Sequence, residues 1–184
     1  MCFTRPENGL RILANSRLLR KGAVPISTLP LITDNQTMCE LCENEGGILL
    51  WQDVLCRVVL VEDRDYPGFC RIIWTKHVKE MTDLPVAERR HLMDVVFAVE
   101  GAVRQKLKPD KINLASLGNL TPHLHWHVIP RWIGDRHFPN PIWGEMQRDA
   151  RPAAPEKLAE GLRTLIHEAL QPASNSNFVP ACPA

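Results

Sequence analysis

Three histidines alternate with large apolar residues in the segment HLHWHVI, which spans residues 123–129. An extended strand points successive side chains to opposite faces, so His123, His125 and His127 would share one face of it. A helix would turn residues two positions apart to different sides, and Pro130 disfavours a helical conformation in the residue before it. The pattern therefore predicts a β-strand with an apolar back against a core and a row of imidazoles on its front.

A cluster of imidazoles suits nucleophilic chemistry at phosphorus. A histidine with its unperturbed pKa of about 6.5 is largely neutral at neutral pH, and its lone pair can attack phosphorus to give a readily hydrolysed phosphoramidate. A second imidazole can donate or accept a proton, and a third can orient the pair or bind a metal ion. A single histidine would more often satisfy hydrogen bonds of a core or a surface, but titratable groups seldom cluster without a function.

Two apolar runs rich in β-branched residues follow Gly46 in the stretch GGILLWQDVLCRVVLVED. They are joined around Gln52 and Asp53, which is typical of a β-hairpin. A third run, FCRIIW over residues 69–74, follows the turn sequence DYPG. This run predicts another strand of the same antiparallel sheet.

A long helix is predicted after the third strand. Thr82 or Asp83 would cap it, and its apolar stripe at helical spacing ends at Leu107. A further strand is predicted over residues 111–117, a polar loop separates it from the histidine strand, and a second helix is predicted over residues 155–170. This order of elements predicts an α+β fold with an antiparallel sheet, a long packed helix and a C-terminal helix.

The length of 184 residues fits one domain with extensions, and 45% hydrophobic with 23% charged residues is typical of a packed globular core. The formal net charge of +1 gives no field that would favour a nucleic-acid polymer or an anionic membrane as a partner. No apolar run approaches the roughly 20 residues of a membrane-spanning helix. We expect a flexible N-terminal extension over residues 1–37, a catalytic domain over residues 38–146, and a C-terminal helix with a frayed tail over residues 147–184.

The six cysteines follow no secretory signal, so we expect reduced thiols and a cytoplasmic protein. The arginine-rich, acid-poor segment 1–37 is also compatible with an organelle transit peptide, although a flexible arm or an upstream start codon explains it equally well. Cys39 and Cys42 are separated by two residues, a gap that lets both thiolates reach one ion. Two buried thiols are the alternative for this pair.

The segment HLHWHVI resembles the signature of the histidine-triad (HIT) family, in which three histidines alternate with apolar residues. The similarity extends over approximately Cys39 to Trp143 and includes the order of hairpin, third strand, long helix, strand, polar loop and histidine strand. The resemblance implies a HIT-like fold, a homodimer, and cleavage of nucleoside phosphoanhydrides or phosphoramidates through a nucleotidyl-histidine intermediate. It implies a small-molecule nucleotide as substrate, such as a diadenosine polyphosphate, and no organic cofactor.

The resemblance also implies roles for single residues. By its position, His125 resembles the nucleophile, and His127 resembles the residue that contacts the reacting phosphate and assists proton transfer. Contacts to the phosphate or the ribose are implied for four more residues: Asn113, Gly118, Asn119 and Asp63. Ordinary turn hydrogen bonds are the alternative for either amide, and a solvated turn is the alternative for the carboxylate.

A metal site is implied by similarity to zinc-binding bacterial HIT proteins of the diadenosine polyphosphate hydrolase type and to the related galactose phosphate uridylyltransferases. The ligand positions correspond here to Cys39, Cys42, His77 and His123. Two cysteines and two histidines would close a tetrahedral Zn²⁺ site, which is structural because no position remains for water. A metal-bound His123 could orient His125 but could not also serve as a free acid. Two reduced cysteines and a surface His77 are the alternative.

One position departs from the family pattern, because Phe69 follows the Pro67-Gly68 turn where many members have a histidine. The familiar substrate preference and rate are therefore open for this chain. Two other functions stay open beside covalent nucleotidyl transfer. One is a nucleotide-binding scaffold with little turnover, and the other is a metallohydrolase in which the three triad histidines hold a catalytic zinc that activates water.

Overall fold

The computed structural model describes residues 39–171, so the predicted extension over 1–37 and the tail beyond residue 171 lie outside the described residues. The described elements, in chain order, are α1 (Glu40–Glu43), β1 (Ile48–Gln52), β2 (Cys56–Leu60), β3 (Cys70–Trp74), α2 (Val86–Leu107), β4 (Lys111–Ala115), β5 (His125–Arg131) and α3 (Leu158–Leu170). The α+β architecture predicted from the sequence is confirmed. The domain boundaries placed at residues 37/38 and 146/147 stay a prediction.

The five strands form one antiparallel sheet in the order β1-β2-β3-β5-β4. The predicted hairpin is present as β1 and β2, and Asp53 closes its turn by accepting hydrogen bonds from the backbone N–H groups of Leu55 and Cys56 at 2.8 Å each. Short polar side chains favour such turns because they satisfy backbone donors locally. The histidine strand β5 lies inside the sheet between β3 and β4, so both of its edges are paired.

One face of the sheet, which we call the back face, packs against α2 and α3. The side chains that meet there are fully or almost fully buried: Val58, Ile72, Trp74 and Val128 from the sheet, Leu92, Val95 and Val99 from α2, and Leu162 and Ile166 from α3. Each buried side chain of this size stabilises the fold by roughly 1.5–3 kcal/mol. The back face therefore fixes the sheet and leaves the opposite face, the front face, to carry polar side chains.

The long helix begins at Val86 rather than after a cap at Thr82 or Asp83, so the predicted cap is wrong. Residues 81–83 form a separate 3₁₀ turn, in which the Asp83 carboxylate accepts a hydrogen bond from the backbone N–H of Glu80 at 3.1 Å. Leu84 then adopts an extended conformation, with φ −86° and ψ 147°. A proline disfavours the helical conformation in the residue before it, so Pro85 separates the turn from the helix.

The turn before β3 depends on Gly68, which has a φ of +92°. A Cβ atom at this position would collide with Cδ1 of Leu107, at the end of α2. Glycine therefore permits both the left-handed backbone and the close approach of the helix end to the sheet.

Within residues 39–171, no helix combines the length and the apolar character that crossing a membrane requires.

Candidate catalytic and metal-binding site

The triad histidines divide between the strand and the residues before it. His125 and His127 lie on the front face of β5, whereas His123 precedes the strand, which differs from the predicted strand start at residue 123. Leu124 and Val128 are buried in the core behind them, as the alternation predicted. His123 leaves the strand because its backbone N–H bonds to the carbonyl oxygen of Thr121 in a local turn.

The tautomer of His125 is fixed by the backbone. Its Nδ1 lies 2.6 Å from the carbonyl oxygen of His123, and a carbonyl oxygen can only accept, so Nδ1 carries the hydrogen and Nε2 keeps its lone pair. Burial lowers the pKa of His125 below its ordinary value, against the effect of this hydrogen bond, and the nearby Arg71 cation lowers it further. The ring is therefore neutral and nucleophilic at neutral pH.

His127 is 5% exposed and packs edge-on against His125, with ring centroids 4.7 Å apart. Its Nδ1 is buried and has no hydrogen-bond partner among the described residues. Burial, the adjacent His125 imidazole and the Arg71 cation together lower the pKa of His127 to about 3. A buried polar atom without a partner costs free energy, and active sites are a common place for it because a ligand can satisfy it.

His123 faces the two cysteines instead of the other triad members. Its Nε2 donates to the carbonyl oxygen of Trp74 at 2.6 Å, which leaves the lone pair on Nδ1. That Nδ1 lies 3.3 Å from Sγ of Cys39 and 3.4 Å from Sγ of Cys42. Nδ1 of His77 completes the group, 3.4 Å from Sγ of Cys42.

These four ligand atoms lie within 4.8 Å of one another. Zinc bonds of about 2.3 Å to sulfur and about 2.0 Å to nitrogen, arranged as a tetrahedron, would separate sulfur from nitrogen by about 3.5 Å. The observed separations of 3.3–3.4 Å therefore fit a closed Cys₂His₂ site. The sequence prediction that Cys39, Cys42, His77 and His123 come together is confirmed, and the group can hold a metal ion.

The short helix α1, which follows Cys39 and contains Cys42, is fixed to β2. Arg57 donates to the carbonyl oxygens of Leu41 and Asn44 at 2.7 and 2.9 Å. Leu41 is buried against Val59 and Ile73 on the front face. These contacts place the two cysteines opposite His77, which follows β3, and His123, which precedes β5.

The four expected phosphate and ribose contacts are dispersed. Asn113 lies on β4, and its side-chain oxygen accepts from Arg131 at 2.7 Å. Asp63 closes a turn by accepting from the backbone N–H groups of Asp65 and Tyr66 at 2.8 and 3.2 Å, the turn role that the sequence left open for it. Gly118 has a φ of +87° and opens the loop in which Asn119 is exposed.

Two side chains that border His127 are not predicted from the sequence. Arg71 lies opposite His127 in the β3–β5 pairing, and the Trp143 ring centroid is 5.2 Å from that of His127. A cation inside the otherwise apolar run CRIIW was a usable signal for Arg71, because a central strand rarely carries one without a purpose. Nothing in the sequence points to Trp143, which reaches the site through a loop.

The loop that carries Trp143 is built around a buried ion pair. Arg131 and Asp135 are 2% and 1% exposed, and two hydrogen bonds of 2.7 and 2.9 Å join them. Arg131 also donates to the carbonyl oxygen of Asn140 at 2.8 Å. Burial opposes ionisation of Asp135, but the hydrogen bonds from Arg131 and from backbone N–H groups hold its pKa below the ordinary value.

A groove of 590 Å³ runs between this loop and β4, with Ala115 and Trp143 among its lining residues.

Comparison with known proteins identifies the family that shares this architecture. The family model of the HIT domain matches residues 44–132, from the residue after α1 to the residue after β5. The crystal structure of a histidine-triad protein from Bradyrhizobium japonicum is 30% identical, covers 68% of this chain and 91% of that chain, and superposes with a TM-score of 0.56. A second histidine-triad protein, from Sinorhizobium meliloti, is 29% identical with a TM-score of 0.58 over 73% of this chain and 96% of its own. The chain belongs to the histidine-triad family.

Two further proteins are similar to this chain. A Mycobacterium tuberculosis protein named AP-4-A phosphorylase is 27% identical over 140 residues, which are 70% of this chain and 67% of that protein. A zinc-bound histidine-triad protein from Mycobacterium smegmatis is 21% identical and shares the fold with a TM-score of 0.52, over 71% of this chain and 94% of its own.

Proposed function

We propose that this protein is a nucleotide hydrolase or nucleotidyl transferase that cleaves a phosphoanhydride or phosphoramidate bond through a covalent intermediate on His125. The observation that carries the proposal is the 2.6 Å hydrogen bond from His125 Nδ1 to the His123 carbonyl, which directs the lone pair to Nε2. Family membership and the relative named AP-4-A phosphorylase support a nucleotide as substrate.

In the proposed first step, Nε2 of His125 forms a bond to phosphorus, and the bond from phosphorus to the leaving oxygen or nitrogen breaks. The leaving group departs with the bonding electron pair and takes up a proton. We assign delivery of that proton, or a hydrogen bond to a phosphoryl oxygen, to His127. A free imidazole with a pKa of about 3 carries one N–H donor at neutral pH, and an anionic phosphate beside it favours uptake of a second proton.

In the second step, an acceptor attacks phosphorus and gives its proton to His127, the N–P bond breaks, and His125 recovers its lone pair. Water as the acceptor gives hydrolysis and a nucleoside monophosphate. The relative's name makes inorganic phosphate a second acceptor to test, and that reaction releases a nucleoside diphosphate. We propose a diadenosine polyphosphate or an adenosine phosphoramidate as the substrate type.

The remaining contacts are proposals of the same kind. Gly118 and Asn119 are assigned to the phosphate or the leaving group, Asn113 to a phosphate contact, and Asp63 to the ribose. Asn113 and Asp63 would have to share their present hydrogen bonds with the substrate. The groove beside Trp143 supports a place for the leaving group, because two of its lining residues are neighbours of His127: Ala115 pairs with it in the sheet, and the Trp143 ring lies 5.2 Å from its ring.

We propose that Zn²⁺ is the ion held by Cys39, Cys42, His77 and His123. The sulfur–nitrogen separations of 3.3–3.4 Å and the two-cysteine, two-histidine donor set support it. Bound zinc would supply a structural crosslink between α1 and the start of β5. His123 would hold its carbonyl oxygen in place for His125, which is a positioning role.

The three-histidine metallohydrolase is disfavoured by the direction of the rings. Among residues 39–171, the groups that could hold a metal ion include His123 but neither His125 nor His127.

A homodimer and a cytoplasmic location stay proposals from the family resemblance and the cysteine content. The scaffold function remains the second candidate, since Phe69 packs edge-on against His127 at 5.5 Å where many family members have a histidine.

A substrate panel tests the proposed function. Diadenosine polyphosphates, adenosine phosphoramidate and sugar nucleotides are incubated with the wild-type protein and with His125→Ala, with water or inorganic phosphate as acceptor. We expect turnover of at least one substrate and a loss of roughly 10³-fold or more in the variant. His167→Ala, an exposed position on α3, is the matched control and should retain full activity. Tight nucleotide binding without turnover across the panel would favour the scaffold instead.

A further inference from the structure

Arg71 is a cation in the middle of the sheet. It lies on the front face of β3, paired with Val59 of β2 on one side and with His127 of β5 on the other. The remaining residues of the strand are apolar, and Arg71 itself is half-buried. A charged side chain in a central strand loses hydration, so the fold must gain something from it or a ligand must compensate for the loss.

The described residues give Arg71 no counter-ion. No salt bridge within residues 39–171 involves its guanidinium, and its Nε is buried without a hydrogen-bond partner. Glu40 and Asp63 favour its charged form only at longer range, while burial lowers its pKa. Two other arginines on the same face do have partners. Arg57 donates to carbonyl oxygens, and Arg131 donates to Asp135.

The Arg71 guanidinium lies over the ring of Phe69, which also contacts His127. Its central carbon lies 5.6 Å from the ring centroid of Phe69, and the same ring packs edge-on against His127 at 5.5 Å. The Phe69 ring therefore contacts both the arginine and the histidine. The positive charge is close enough to lower the pKa values of both His125 and His127.

His127 is neutral in the free protein, so its ring supplies no positive charge to an incoming phosphate. We propose that Arg71 binds a non-bridging oxygen of the nucleotide phosphoryl group that His125 attacks. The assignment rests on the proposed nucleotide function and adds to it the residue that neutralises the phosphate. A planar guanidinium with five N–H donors suits phosphate oxygens and stays protonated throughout the reaction, so it holds the anion and moves no proton.

Equilibrium binding tests this assignment without depending on turnover. Calorimetry measures the Kd of each common ribonucleoside monophosphate, of the matching nucleosides and of inorganic phosphate for wild type and Arg71→Met. We expect the variant to bind the best monophosphate ~10- to 100-fold more weakly, the loss of one charge-assisted contact, and to bind its nucleoside as wild type does. Inorganic phosphate alone should bind the wild type at least ~10-fold more weakly than the monophosphate, because it lacks the nucleoside contacts.

Two more variants separate charge from folding. Arg90→Met removes the same charge from an exposed position on α2, behind the sheet, and should leave every Kd unchanged. Arg71→Lys keeps the charge and the apolar stem, and we expect a ~3- to 10-fold loss of monophosphate affinity from it. Thermal unfolding checks each variant, and Arg71→Lys carries the test if Arg71→Met does not fold.

The outcomes are distinguishable. Wild-type affinity for the monophosphate in both Arg71 variants would overturn the assignment and leave the proposed function standing. An equal loss for nucleoside and monophosphate would also overturn it, since that result describes a structural role. Inorganic phosphate that binds as tightly as the monophosphate would contradict the assignment to a nucleotide. A wild-type protein that binds neither nucleotide nor nucleoside would overturn the proposed function itself, and this inference with it.

Discussion

Nδ1 of His125 donates its hydrogen to the carbonyl oxygen of His123 over 2.6 Å. His123 in turn directs its Nδ1 at Cys39 and Cys42, so one residue belongs to the metal group through its side chain and to the catalytic pair through its backbone. The different roles proposed for the triad histidines follow from this arrangement. In the proposed mechanism His125 and His127 carry out the chemistry, and His123 positions His125.

Zinc content is the first prediction. The wild-type protein, purified without added chelator, should contain one zinc ion per chain, and Cys39→Ser or Cys42→Ser should lose it, because a thiolate ligand is replaced by a hydroxyl. Elemental analysis measures the metal, and chelation should lower the Tm of the wild type but not of the variants. Cys70→Ala removes a buried thiol outside the group and should keep its zinc. Zinc retained in both serine variants would show that the ion binds elsewhere.

Acid should destabilise the protein through His127. Its pKa is about 3 in the folded protein and about 6.5 in an unfolded chain, so between these values the unfolded chain binds a proton that the folded one does not. The contribution of His127 to stability is therefore constant above pH ~6.5 and falls as pH decreases, by about 2 kcal/mol at pH ~5. His127→Gln removes this dependence.

Urea unfolding at several pH values measures the effect as a difference between wild type and His127→Gln. Metal loss in acid affects both proteins alike, so the difference isolates the histidine. His167→Gln changes an exposed histidine on α3 and should follow the wild-type curve. Parallel curves for wild type and His127→Gln between pH ~7 and pH ~5 would contradict a strongly lowered pKa.

The buried pair of Arg131 and Asp135 should be essential to the loop that carries Trp143. Asp135→Asn leaves a buried guanidinium without its counter-charge and should lower the free energy of unfolding by about 3–5 kcal/mol. Arg151→Ala removes an exposed partner of Asp65, at 2.8 Å, and should cost less than about 1 kcal/mol. Denaturant unfolding compares the two variants. Equal losses of unfolding free energy would contradict a special contribution from the buried Arg131–Asp135 pair.

The alternation of residues was sufficient to predict the strand that carries the catalytic pair. Period-two patterning reports which side chains share a face, and the structure places His125 and His127 together on the front of β5. The same pattern overextended the strand to His123, because a local turn at Thr121 competes with strand pairing there. Cys39, Cys42 and His77 were assigned by resemblance, since their convergence with His123 depends on the whole sheet.

Other features depend on tertiary contacts that no local pattern records. The helix start was misplaced because Pro85 fixes the conformation of Leu84, which outweighs the capping tendency of Thr82 and Asp83. Trp143 reaches His127 only through the loop that Arg131 organises. Arg71 was visible in the sequence, but its lack of a partner becomes meaningful only when the neighbouring strands are in place.

Direct detection of a nucleotide on His125 tests the central claim. The wild-type protein and His125→Ala are mixed with excess substrate, quenched within the turnover time under alkaline conditions that preserve phosphoramidates, digested, and examined by mass spectrometry. We predict one nucleoside monophosphate group on the peptide that contains His125, lost on acid treatment and absent from the variant. A wild-type protein that turns substrate over while no histidine ever carries the nucleotide, or an equal adduct in His125→Ala, would contradict the covalent mechanism.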